Sequence, residues 1–185
     1  MKKTLLTALL MTTGTLQAAP SERNPETGAE IWRVEQQGIA ITLTQRIPEQ
    51  TQAFFLARGF SNEAAKDIAS ACIFHIRLEN RENDKSVEPD LGQWRRTGEN
   101  GWQPLKLEAD WQKGWENSDE AQGARIAFRW SSFPTRQPLE PSDWITGMSS
   151  LGNGTDDSFD LRIAWRSDEQ LKQMVIPGLR CGKNP

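Results

Sequence analysis

The run Cys72-Ile-Phe-His-Ile-Arg-Leu78 constrains the fold more than any other stretch of this sequence. Cys72, Phe74, Ile76 and Leu78 fall on one face of an extended chain, and Ile73, His75, Arg77 and Glu79 fall on the other. Alternation with period two marks a half-buried strand and argues against a helix. Such a strand needs neighbours on both edges and an apolar layer beneath it. The rest of the chain has to supply them.

Upstream, Glu30–Glu35 and Ile39–Thr44 read as a hairpin around Gln36-Gln37-Gly38, with β-branched residues where a pleated surface favours them. Between that hairpin and the central strand the pattern changes. Pro48 opens a helix that Gly59 closes, and Ser61 caps a second one with Ala64, Ala65, Ile68 and Ala69 at helical spacing. Residues 48–70 are therefore expected to form a helical hairpin.

Downstream, Gly98-Glu-Asn-Gly101 is a hairpin turn between Gln93–Arg96 and Trp102–Leu107. Asp110–Trp115 shows no clean period. Ala124-Arg-Ile-Ala-Phe-Arg-Trp130 alternates, which predicts a strand with Ile126, Phe128 and Trp130 inward and Arg125 and Arg129 outward. Gly152-Asn-Gly-Thr155 leads into a further strand at Phe159–Trp165, and Leu171–Ile176 reads as the last one. About seven or eight short strands separated by Gly, Pro, Asn and Asp predict a mainly β fold. The expected architecture is an antiparallel β-sandwich, Ig-like or jelly-roll-like, with the helical hairpin inserted.

The expected domain organisation is a signal peptide at residues 1–18, a flexible lead-in at 19–28, and one domain at 29–185. Met1-Lys-Lys3, the apolar run Thr4–Met11 and the exit Leu16-Gln-Ala-Ala-Pro20 are the three parts of a secretory leader. Cleavage is expected after Ala18, because a cut after Ala19 would put Pro20 directly behind the bond. The apolar run falls well short of the roughly 20 residues that span a bilayer, so no membrane anchor is expected. The expected compartment is the periplasm.

In an oxidising compartment Cys72 and Cys181, the only two cysteines, are expected to pair. Closing a loop that long stabilises by up to roughly 4–5 kcal/mol on chain-entropy grounds. With 22 basic against 25 acidic residues, the chain has no electrostatic case for nucleic acid or anionic lipid.

Counting removes most catalytic constellations. Imidazole chemistry has only His75, which alternation places on the outward face. Gly147-Met-Ser-Ser-Leu-Gly152 is not a nucleophile elbow, and no serine-lysine pair or covalent-haem motif occurs. Catalysis is not expected, and neither is a cofactor. Beyond the expected leader, the soft donors outside the cysteine pair are His75, Met148 and Met174, a thin set for copper, with His75 and Met148 the candidates if any metal is bound.

Eight tryptophans and no tyrosine are the remaining anomaly. A chain short of aliphatics draws tryptophan into its core, and Trp102 is expected inward beside Leu105 and Leu107. Trp94, Arg95, Arg96, Trp111 and Trp115 form the candidate binding surface, since interfaces concentrate tryptophan and arginine. The functional expectation is an exported accessory protein that binds another periplasmic protein without catalysis. The alternatives are copper delivery and glycan binding by exposed tryptophans.

Overall fold

The computed structural model describes residues 22–153 and 158–184. The expected leader at 1–18, and Gly154 and Thr155 of the expected turn, lie outside the described residues. The described chain is a mixed α/β domain of two antiparallel sheets and four helices.

The first sheet holds β1 (Glu22–Arg23), β2 (Glu30–Gln36), β3 (Ile39–Gln45), β4 (Ala71–Asn80) and β8 (Trp144–Asn153), side by side in that order. The alternating run at 72–78 is its inner strand β4, paired with β3 on one edge and β8 on the other. The turn Gln37-Gly38 takes left-handed backbone at both residues, φ 50° and 82°, the geometry that matches a tight hairpin to strand twist.

The second sheet runs β10 (Gln170–Leu179), β9 (Phe159–Ser167), β6 (Arg95–Gly98), β7 (Gly101–Pro104), with β5 (Val87–Pro89) also paired to β9. The hairpin read from Gly98 and Gly101 joins β6 to β7, and β7 has no strand on its outer edge among the described residues.

One buried cluster draws on both sheets: Trp32, Ile41, Leu43, Phe74, Ile76 and Leu78 from the first, Phe159, Leu161, Ile163, Trp165 and Ile176 from the second. Phe74 touches both sides, with Trp32 at 5.8 Å and Phe159 at 6.3 Å between ring centroids. Here the face predicted to be inward is buried throughout.

The helices build a second core. α1 (Pro48–Leu56) and α2 (Asn62–Ser70) are the expected hairpin, and Ser61 caps α2 by accepting from the Ala64 amide at 3.1 Å. Two further helices, α3 (Glu108–Gly114) and α4 (Gln122–Ser131), join them. Glu120, just ahead of α4, accepts from the Ser61 amide at 3.1 Å and from its hydroxyl, tying the two helical pairs together. Phe55, Phe60, Trp111, Trp115 and Phe128 pack ring against ring, the closest being Trp115 and Phe128 at 4.9 Å.

Three expectations are corrected. Ala124–Trp130 is not a strand: Ala124 and Phe128, one helical turn apart, are buried, while Ile126 and Trp130 face water, Trp130 at 85% exposure. Asp110–Trp115 is largely helical rather than irregular. Ile73 is not on a solvent face, because the helical layer covers that end of the first sheet and buries it.

Close approach fixes this layer to the sheet. A Cβ on Gly147 of β8 would meet the Phe133 amide nitrogen at 2.4 Å, so only glycine lets the chain leaving α4 lie against β8. That chain is stitched there by the Phe133 amide, which donates to the Met148 carbonyl at 2.8 Å.

Candidate functional site

The expected disulfide is present: Cys72 and Cys181 are bonded across 109 residues. It closes the end of the first sheet where β4 begins, and beside it opens a groove of about 820 Å³. One wall is the C-terminal end of α2 (Asp67, Ser70) and the start of β4. The lining also takes in Arg96 and Gln103 of the second sheet, then Leu105 and Lys106 where the chain crosses toward α3. Arg46, directly after β3, and the end of β8 complete it. A register shift between Cys72 and Ile73 in the β4–β8 ladder lies at this same end.

Strand pairing holds Arg46 in place. Its amide donates to the Ile73 carbonyl at 2.9 Å, and Gly182 lies so close to the Arg46 carbonyl that a Cβ would sit 2.5 Å from it. The Arg46 side chain is half-buried, and its Nε is fully buried with no hydrogen-bond partner. Burial pulls the guanidinium below its ordinary value, with no carboxylate raising it. Lys106 stands at the rim with its Nζ 3.2 Å above the Trp111 ring, a cation–π contact that restrains a long side chain. Arg96 is buried and donates to Gln103 Oε1 at 3.3 Å. Asp67 is the one acid among the lining residues.

The predicted binding surface is not assembled as expected. Trp94, Trp111 and Trp115 are buried, and so is Arg96. Trp94 lies in the core shared by the sheets, 5.9 Å from Phe133, with its Nε1 donating to the Ala164 carbonyl at 3.0 Å. Trp111 and Trp115 belong to the helical core. Arg95 is half-buried, its guanidinium bonded to the Gly92 and Trp94 carbonyls. Trp102, expected inward, is instead exposed, with Arg162 at 4.4 Å from its ring. The physical reason is volume: two cores short of aliphatics take the large rings that sit on their inward faces. Of the five, the groove takes Arg96 and the edge of Trp111. It adds Lys106, which the sequence interleaves with the tryptophans, and Arg46 and Asp67, which sequence reasoning missed.

His75 and Met148 do stand opposite each other in the β4–β8 register. The Thr146 hydroxyl lies 3.0 Å from His75 Nε2 and 2.8 Å from the Ile76 carbonyl, within hydrogen-bond reach of both. Burial, and then the Arg46 charge, hold His75 below its ordinary 6.5. Both cysteine sulfurs are in the disulfide, and among the described residues no three His, Cys, Asp or Glu side chains gather where they could hold a metal.

On the outer face of the first sheet Trp144 is 53% exposed, with the Arg77 guanidinium 4.0 Å from its ring centre. No helix of the described residues is long and apolar enough to cross a membrane. Comparison of the chain with protein-family models, curated proteins and solved structures returned no match.

Proposed function

We propose that this protein is exported to the periplasm and works there as an accessory protein, binding a partner protein non-covalently in the groove beside Cys72–Cys181. The leader-like pattern of residues 1–18 and a disulfide of the kind that persists in an oxidising compartment support the location. In this reading the two sheets are the halves of an open sandwich of Ig-like or jelly-roll-like type, with the groove at one end of it.

The observation that carries the reading is a concavity of about 820 Å³ built on rigid parts. A disulfide, two sheet ends and a helix end set its walls, so a ligand meets a preformed surface and little ordering cost. Gln103 and Pro104 bring the end of the outermost strand β7 to the groove, where its edge gives an extended peptide main-chain contacts, Pro104 through its carbonyl alone. Ser70→Trp fills the groove from the exposed end of α2. The expected result is an unchanged thermal midpoint and loss of the partner that the wild-type chain retains from periplasmic extract. Retention of the same partner by both proteins rejects the groove.

A glycan reading has one observation of its own, Trp144, whose ring is half exposed and backed by Arg77. Saturable binding of a soluble glycan that is lost in Trp144→Ala supports it, and no binding to the wild type removes it. The copper reading has only His75 and Met148 to stand on.

A further inference from the structure

We infer that the groove receives a carboxylate-bearing segment of a partner protein, with Arg46 as the anchoring cation; the inference rests on the groove being the binding site. The chain as a whole is acidic, with a pI of about 5.3, yet the groove reverses that sign. Arg46, Arg96 and Lys106 line it against Asp67 alone.

Several cations elsewhere are matched by acids. Arg136 pairs with Asp90, Arg180 with Glu30, and Lys172 with Glu82. Arg46 differs, since its Nε is buried, has no hydrogen-bond partner, and faces no carboxylate that offsets the burial. A guanidinium drawn half out of water with no counter-charge beside it is disfavoured, and an anion arriving from outside offsets that cost. The planar fork of arginine fits a carboxylate through two parallel hydrogen bonds. Arg96 is already engaged with Gln103, so its part is to add field. Lys106, held over Trp111, offers a second positive point at the rim.

The peptide source follows from β7. Its outer edge is free among the described residues and its end reaches the groove through Gln103 and Pro104; Pro104 has no N–H, so the edge there offers an extended polypeptide isolated main-chain contacts rather than a continuous ladder.

The test is fluorescence anisotropy with a labelled Thr-Glu repeat peptide, its Thr-Gln counterpart and an oligogalacturonate, at low and high salt. The Thr-Glu peptide is expected to bind and to weaken with salt, with the Thr-Gln peptide weaker by about tenfold or more. Arg46→Gln is expected to lose about tenfold at an unchanged thermal midpoint, Arg46→Lys to lose less, and Asp67→Asn to bind more tightly. Equal affinity for the two peptides, or an Arg46→Gln variant that binds as the wild type does, overturns the inference. Arg46-dependent binding of the oligogalacturonate above the peptide overturns the peptide source. Partner capture lost in Ser70→Trp but kept in Arg46→Gln leaves the groove standing and rejects the carboxylate. Should Arg46→Gln fail to fold, the rise in Asp67→Asn decides.

Discussion

Arg180 grips Glu30 with two nitrogens, Nε at 3.0 Å and Nη2 at 2.7 Å, joining residues 150 apart in sequence. Gln45 closes the ring, accepting from the Glu30 amide at 2.8 Å and donating to the Arg180 carbonyl at 2.6 Å. The Glu30 side chain is 8% exposed, so water cannot take the place of these donors. Arg180→Met is expected to destabilise by about 2 kcal/mol, because a nearly buried carboxylate loses charged hydrogen bonds. Arg23→Met removes a mostly exposed contact to the same carboxylate and is expected to stay within about 0.5 kcal/mol. Urea midpoints of the two variants check the contrast.

The tryptophans divide by exposure. Trp111→Ala and Trp115→Ala each open the helical core and are expected to destabilise by roughly 3–5 kcal/mol. Trp130→Ala removes a ring that touches little and is expected to change stability by less than about 0.5 kcal/mol. Thermal unfolding of the three variants gives the ranking, and a large loss in Trp130→Ala contradicts it.

His75 gives a pH signature. Its folded value lies below 6.5, so the unfolded chain takes up the proton first as pH falls. Stability is therefore full above 6.5 and declines as pH drops through the depressed folded value. Arg46, which lowers that value, contributes to the slope. His75→Gln is expected to show a shallower decline in urea midpoint between about pH 7.5 and 5. An identical slope in the two proteins counts against the assignment.

Removing the disulfide with Cys72→Ala and Cys181→Ala is expected to lower stability by up to roughly 4–5 kcal/mol, the loop being long. Binding in the groove should fall as well, because Cys181 and Gly182 form part of its wall. Calorimetry, with the anisotropy assay on the same variant, separates the two effects.

Where one period held alone, the sequence was legible. The β4 alternation, the Ser61 cap and the cysteine pair all appear as read. Ala124–Trp130 misled because apolar residues at every second position satisfy two periods at once. Ala124 and Phe128 make one helical pair, Ile126 and Trp130 another, and the aromatic cluster of Phe55, Phe60, Trp111 and Trp115 takes the first pair. Nothing in the sequence announces that cluster, since its members come from α1, α3 and the turns beside them. The groove was hidden for the same reason. Arg46, Asp67 and Lys106 are ordinary surface residues in sequence, and only the meeting of β3, α2 and the crossing to α3 makes them neighbours.

The bond between Cys72 and Cys181 also decides what a protease can accomplish. A cut anywhere between them, for instance in the exposed turn around Asn117, leaves both pieces covalently joined. A nicked molecule keeps the start of β4 tied to the C-terminal wall of the groove, and it would run as two fragments only after reduction. In the exported setting proposed above, the bridge keeps a nicked chain in one covalent piece.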